Sequence, residues 1–469
     1  MVLVPCPNAT GHEKLSAKKW LQFENIIKAK NFWKLVFKPD EFGSWPSNGL
    51  VIFLGGIFLG KSSLIECIRH WGDGFWLLLE FGMQMCLMLV SGYLLASAPI
   101  IRRFLNFLTD LFKTPSSAIA GLAVISMGLS WLNWGLGIVG GAVLARLFAN
   151  KFTQLDLRLI VTVAYLGLGC TWHAGLSASA PLLIATPGHF LESEIGIINV
   201  GETIFHPFNL ILTLVVLGSL TIFVWYLAQW TPLTPSQMLS QRTQLKTTQI
   251  PATANDEKSY QGSPASFFDK SYCLNGLIGI MGLIWLIITW TDGSLMVTIN
   301  SINFLLLFLG IILHKNPQSV AQGAKEAITF VHGIVLQFPL YAGMFGIIKG
   351  TGLSDVLGNG FVSIASTRTL PILVYWYSGF INYFVPSGGS KWVIEAPYLV
   401  SAAQTLEVPI HKVILAYAWG DMATNLLHPF WALPLITATG LEFREILGYG
   451  IVIFSFYFCL VSMAFWFFF

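Results

Sequence analysis

Six ionisable side chains stand inside otherwise apolar stretches of this chain: Glu80, His173, Lys391, Glu395, Asp421 and His428. If those stretches cross a membrane, each Asp, Lys or Arg costs on the order of 3 kcal/mol at the bilayer centre, so an idle one is improbable. Lys391 and Glu395 are four residues apart and can neutralise each other on one helix face. Asp421 has no base at pairing distance in sequence, which marks it for a proton or a cation. Glu395 and Glu80 are further ion-coupling candidates. For His173 and His428 the simplest reading is a hydrogen bond between helices. Pro386-Ser387-Gly388-Gly389-Ser390 interrupts a helix, because proline followed by small residues does not continue one. At mid-membrane such unwound backbone survives only against protein or a wet cavity. Its amides, opening a helix at Lys391, suit a carboxylate.

Two further patterns suggest nucleotides, and both stand in the wrong context. Gly55-Gly-Ile-Phe-Leu-Gly60-Lys61-Ser62 fits GxxxxGK[ST], but Ile57, Phe58 and Leu59 continue an apolar run where a phosphate cradle is a solvated loop. Gly135-Leu-Gly137-Ile-Val-Gly140 fits GxGxxG with Asp156 downstream, yet no strand precedes it. Glycines at these places let helices approach closely. There is no HExxH, GxSxG or Cys/His cluster to support an enzyme or a metal centre.

The elements that must position these residues follow from composition. Of 469 residues 55% are hydrophobic and 10% charged, with 36 Phe, 17 Trp and 13 Tyr; an ordinary soluble domain carries about 25% charged residues. The solvent is a lipid bilayer, and the net charge of +3 leaves no basic patch for nucleic acid. Six scattered cysteines read as packing residues. Residues 1–43 form a Lys-rich amphipathic segment suited to a membrane surface, without a cleavable signal. Crossings are expected near 44–64, 75–98, 157–186, 206–229, 274–290, 295–314, 324–349, 411–436 and 446–469. Regions 116–150 and 369–403, broken in the middle, are expected to be re-entrant helical hairpins.

An internal repeat supports the hairpins. Ser130-Trp-Leu-Asn133-Trp134-Gly realigns with Gly379-Phe-Ile-Asn382-Tyr383-Phe, and Gln84 with Gln337. The organisation expected is membrane repeat 1 over 44–230, a cytoplasmic linker over 231–272, and an extra crossing helix plus membrane repeat 2 over 273–469. Charge bias places loops 99–115, 229–272 and 314–325 in the cytoplasm with the N-terminus, and 187–204, 291–295 and 350–366 outside. The two repeats are then inverted, and the C-terminus lies on the periplasmic side.

Across Trp71-Gly-Asp-Gly-Phe-Trp76, Phe81-Gly-Met-Gln-Met85, Ala185-Thr-Pro-Gly188, Gln337-Phe-Pro-Leu-Tyr-Ala-Gly343, Val385-Pro-Ser-Gly-Gly389 and Pro429-Phe-Trp-Ala-Leu-Pro434, the chain resembles bacterial short-chain fatty acid transporters of the acetoacetate system. The resemblance implies an inner-membrane secondary carrier of the ion-transporter superfamily, taking up monocarboxylates such as acetoacetate or butyrate. It implies substrate contacts at Asn133, Trp134, Gly135 and Gly137, at Asn382, Ser387, Gly388, Gly389, Ser390 and Lys391, and at breaks near His173 and Asn425. The family pattern has uncharged residues where Lys391, Glu395 and Glu80 stand here, and glycine in place of His173. The fold expected is all-α, with inverted repeats, two re-entrant hairpins and broken helices. No cofactor is expected; the coupling ion is H⁺ or Na⁺, with Na⁺ near Asn133 and Asn382. The partners expected are the carboxylate and the bilayer, with a homo-oligomer left open. Other readings are a dicarboxylate or other organic anion carrier, a channel, or a membrane enzyme.

Overall fold

A computed structural model describes residues 45–230, 268–293, 296–383 and 385–469. The basic segment 1–43 and most of the linker fall outside them. Every regular element among the described residues is helical. The α-helices of five residues or more are, in order, α1 (Trp45–Phe58), α2 (Leu64–Gly74), α3 (Leu79–Ser97), α4 (Pro99–Asp110), α5 (Pro115–Leu132), α6 (Trp134–Lys151), α7 (Leu157–Ala164), α8 (Leu166–Cys170), α9 (Ser179–Ile184) and α10 (Pro207–Trp230). After the linker come α11 (Tyr272–Thr291), α12 (Ile299–Leu313), α13 (Pro317–Ile328), α14 (His332–Gly350), α15 (Leu353–Ile364), α16 (Leu370–Asn382), α17 (Gly388–Thr405), α18 (Ile410–Ala423), α19 (Leu433–Thr439) and α20 (Phe443–Phe468).

Six of these, α3, α5, α10, α11, α14 and α20, are long and apolar enough to cross a bilayer. α11 shows how they meet lipid. Asn275, Gly279, Gly282 and Leu286 form its buried stripe, while Leu277, Ile280, Met281, Ile284 and Ile288 are exposed. A Cβ on Gly279 or Gly282 would strike Ile312 or Phe308 of α12, so small residues set the distance between these two helices.

Several expected crossings are not single helices. The run 44–64 breaks after Phe58: Lys61 takes a positive φ of 55°, and Ser63 with Glu66 forms a capping box that starts α2. The GxxxxGK residues are therefore a helix end and a bend with no strand before them. Regions 157–186 and 411–436 are chains of short pieces, with 3₁₀ turns at Trp172–Ala174, Thr424–Leu427 and Phe430–Ala432. Region 324–349 divides into α13 and α14, and loops 99–115 and 350–366 contain α4 and α15. Those two helices are short, and apolar length alone does not reveal them.

The break in 116–150 falls where the sequence places it. Thr114 and Ser117 cap α5 and Pro115 opens it. Asn133 then turns extended (φ −158°, ψ 128°) and caps α6 through Oδ1, which accepts from Leu136 N at 2.8 Å. α5 and α6 lie along each other. In the second region α16 packs chiefly on α18, and α17 on α15, α14 and α18. The run Gly135–Gly140 lies inside α6, where Gly135 meets the Leu89 backbone and Gly137 meets Ser130; it is a packing surface.

Two pairs of like hydrogen bonds stand about 253 residues apart. Thr171 Oγ1 donates to Met127 O at 2.9 Å, and Thr424 Oγ1, about 253 residues on, donates to Gly379 O at 2.9 Å. Ser126 Oγ donates to Val163 O (2.9 Å) as Ser378 Oγ donates to Tyr417 O (3.2 Å). A Cβ on Gly167 would strike the Ser126 carbonyl, and one on Gly420 would strike that of Tyr375.

Since the obstacle at Gly420 is backbone, Gly420→Ala should destabilise the protein by about 1–3 kcal/mol. Gly72→Ala, with nothing within 4 Å of the added atom, should leave thermal unfolding in detergent unchanged.

Candidate functional site

The breaks in α7–α9, α16–α17 and α18–α19 converge, and Lys391, Glu395 and Asp421 meet His173 there. His173 and Asp421 are 0% and 1% exposed, and His173 Nδ1 lies 2.7 Å from Asp421 Oδ2. The other ring nitrogen, Nε2, faces the Ala180 backbone N–H and the Ser179 hydroxyl, each at 3.3 Å. An amide can only donate, so Nε2 accepts. The imidazole is therefore the neutral Nδ1–H tautomer, donating to Asp421. Trp172 stacks on the ring at 4.3 Å between centroids.

Asp421 is thus not solitary, as its sequence neighbours suggest: a base 248 residues away and another on α17 reach it. Lys391 Nζ lies 3.1 Å from Asp421 Oδ1, and 3.6 Å from Glu395 Oε1. The pair expected from the four-residue spacing is present and is the longer of the two contacts. Lys391 Nζ also donates to Ser378 O (2.9 Å) and Ser378 Oγ (2.5 Å), and sits 4.4 Å from the centre of the Tyr417 ring. Tyr417 OH donates to Gly388 O at 2.6 Å. Lys391 and Glu395 are both 0% exposed, so the four side chains form one dry cluster.

Ser387 is the N-cap of α17, and Gly388, Gly389 and Ser390 are its first turn, so only the stretch before Gly388 is unwound. Neither glycine has a positive φ. Each is needed for close approach: a Cβ on Gly388 would lie 2.7 Å from Asp421 Oδ2 and from the His173 ring, and one on Gly389 2.5 Å from the Phe81 ring. The first-turn amides of α17 have no intrahelical acceptor. They border a narrow cleft, with Ser387, Gly388, Gly389, Ser179 and Asn425 at its polar end and Met85, Trp134, Leu168, Trp172, Ile334, Phe338 and Trp431 as walls.

The asparagines act as braces. Asn382 Nδ2 donates to Thr424 Oγ1 and Asn425 Oδ1, both at 3.0 Å; Asn425 Nδ2 donates to Leu168 O at 3.0 Å. His428 Nε2 lies 3.1 Å from Asn425 Oδ1, a contact within its own turn and not between helices. Asn133 Nδ2 donates to Met88 O at 3.2 Å, and Trp134 N donates to Ser177 Oγ at 2.9 Å, so the first hairpin's amides are already occupied by protein. Glu80 stands apart, exposed in the first turn of α3, 3.4 Å from Gln84 Nε2. The residues that sequence reasoning passes over are Ser177, Ser179, Ser378, Tyr417 and Trp431, which donates to Pro386 O at 3.0 Å. Trp431 stands in the Pro429–Pro434 motif; nothing in the local sequence separates the other four from ordinary membrane-helix residues.

This architecture is that of a polytopic membrane transporter. It is shared with the YdaH transporter of Alcanivorax borkumensis (TM-score 0.52, 16% identical, covering 84% of this chain and 86% of that one). It is shared also with MtrF of Neisseria gonorrhoeae, described with a class of antimetabolite efflux pumps (TM-score 0.50, 14% identical, 85% and 84% covered). The particular family is given by sequence. The short chain fatty acid transporter profile matches residues 38–468, and the chain belongs to that family. Proteins of Escherichia coli K12 and Haemophilus influenzae, each named "Putative short-chain fatty acid transporter", are 34% identical over 402 and 406 residues. These alignments cover 86% and 85% of this chain and 90% and 89% of theirs. The protein is a transporter and not an enzyme.

Removing one member of a buried ion pair strands the other and costs about 3–5 kcal/mol. Lys391→Gln and Asp421→Asn should each lower thermal stability on that scale, and the double change should recover most of it. Lys391→Gln with Glu395→Gln should recover little, because Asp421 would still have lost its cation.

Proposed function

We propose that the protein is a secondary active carrier that takes up short-chain monocarboxylates of the acetoacetate or butyrate type together with a cation. One observation carries this reading: a cleft with a polar end made of uncommitted helix amides and long apolar walls. A carboxylate fits the α17 N-terminus, where amides and helix dipole favour negative charge, and a chain of a few carbons fits between Trp134, Trp172, Phe338 and Trp431. A second carboxylate would meet those walls unsolvated, at a cost that disfavours dicarboxylates. In this reading Ser387, Gly388, Gly389 and Asn425 touch substrate. Lys391, Glu395, Asp421 and His173 handle the ion, while Asn133, Asn382 and the α6 glycines hold the scaffold. The two repeats are inverted in the inner membrane, with the N-terminus cytoplasmic and the C-terminus periplasmic.

Proteoliposomes tested with labelled C2 to C6 monocarboxylates and a C4 dicarboxylate decide the substrate. Counterflow of monocarboxylates is expected. Counterflow of the dicarboxylate alone, or flux without acceleration by internal substrate, would replace the reading with a dicarboxylate carrier or a channel. Gly389→Val, whose side chain would enter the space beside Phe81, should abolish substrate binding in a protein that still inserts.

The inverted arrangement is tested by single cysteines at the exposed positions Lys113 and Thr367 in a background lacking the native ones. An impermeant thiol reagent should label Lys113→Cys from the cytoplasm and Thr367→Cys from outside. Labelling of both from one side would rule inversion out.

A further inference from the structure

The buried cluster does not balance if all its acids are ionised. Its one fixed cation is Lys391. Its histidine is neutral, because Nε2 accepts from the Ala180 amide. Asp421 accepts the hydrogen bond from His173 Nδ1–H at 2.7 Å and has the nearer approach of Lys391 at 3.1 Å. Lys391 spends its hydrogen bonds on Ser378. That leaves Glu395, fully buried, with neither oxygen at hydrogen-bond geometry with a donor among the described residues, where Asp421 lacks a partner at Oδ1 alone; Lys391 approaches it only to 3.6 Å, and the Ser378 hydroxyl beside it is already given to the Tyr417 carbonyl. An ionised carboxylate so placed would be a net −1 in a dry interior, a state that neutralises by taking up a proton.

We infer that Glu395 is held as the neutral carboxylic acid, and that its proton is the ion bound together with substrate. The coupling ion is therefore H⁺; this rests on the carrier reading above and deepens it. With Glu395 protonated, Asp421 and Lys391 cancel and the cluster is neutral. A substrate carboxylate at Gly388 and Gly389 brings back the one negative charge that the proton on Glu395 removes, so the anion is accepted beside Asp421 only together with that proton. When the cleft opens to water, Glu395 gives its proton to that water and Lys391 turns from Asp421 toward the new carboxylate. The charged and titratable groups facing Glu395 are Lys391 and Tyr398 on its own helix, Tyr377 on α16, and Asp421 and Tyr417 on α18.

Two measurements on the full-length protein test this. Infrared spectra at pH 7, with H/D exchange to shift the band, should show a protonated-carboxyl carbonyl stretch in the native protein that Glu395→Gln lacks. In proteoliposomes, affinity for butyrate should fall about tenfold per pH unit once pH exceeds the titration of Glu395, since one proton is linked to binding. In Glu395→Gln, which mimics the neutral acid, affinity should stay flat with pH and proton-driven accumulation should vanish. If Glu395→Gln does not insert, Glu395→Asp serves instead and should displace the carboxyl band. Absence of a Glu395 band, or accumulation driven by Na⁺ with no proton movement, would overturn the inference. A band present in a protein that moves no carboxylate would instead sink the carrier reading, and the coupling with it.

Discussion

A lysine with no exposure to solvent, held between two carboxylates in the middle of a membrane protein, is the constraint on which the rest of the structure depends. Separately each of these groups would cost several kcal/mol to bury. Together they are tolerable only at contact distance, and no single helix can bring all four together. α17 supplies Lys391 and Glu395, α18 supplies Asp421, and the 3₁₀ turn at Trp172–Ala174 supplies His173. Gly388 has no side chain because the space a Cβ would occupy lies against the carboxylate and the imidazole. Tyr417 and Ser378 complete the cage. Helices in this region are broken because the ions require convergence, and the breaks are tolerated because the freed backbone groups find partners in the protein.

The two halves of the chain share some bonds and differ in chemistry. Thr171 and Thr424 make like hydrogen bonds, as do Ser126 and Ser378. In the first half, Asn133 and Ser177 occupy the amides that open α6, and the glycines of that helix pack against neighbours. In the second, Ser387 makes no such side-chain cap, and Lys391 and Glu395 follow within two turns. The first half contributes Met85, Trp134, Leu168 and Trp172 to the walls and one histidine; the second contributes Ile334, Phe338 and Trp431 to the walls together with the charged groups and the open helix end.

The class of fold was legible because apolar length is a one-dimensional property, and the breaks were legible because Asn, Pro and Gly punctuate helices for local reasons. The first break falls at Asn133, where the sequence places it; the second falls between Asn382 and Ser387, so that Gly388–Ser390, expected to be unwound, open α17. Pairing was legible only at helical spacing. Lys391 and Glu395 could be linked by counting four residues, whereas the shorter contact of Lys391 to Asp421, and that of Asp421 to His173 across 248 residues, arise from tertiary convergence that no local pattern encodes. Glu80 misleads for the complementary reason. A charge within an apolar run reads as buried, but in the first turn of α3 it faces outward. Short helices such as α2 and α4 escape a search by apolar length because their amphipathic pattern resembles a charged loop.

The placement of Lys391 behind the cleft, and not in it, bears on turnover. A carrier must bind its substrate well enough to select it and weakly enough to release it on the other side. A direct ion pair between a buried ammonium and a carboxylate, screened from water, is strong and slow to break. Helix amides offer a favourable partial charge, typically under about 1 kcal/mol at exposed termini and somewhat more when partly buried. On the function proposed above, with Lys391 engaged by Asp421 and Ser378, the polar end of the cleft attracts an incoming anion through helix dipoles alone, and the apolar walls add selectivity for chain length through contact area. Selectivity and release would then come from different parts of one small cavity, with the ions behind it setting the charge that the cavity can accept.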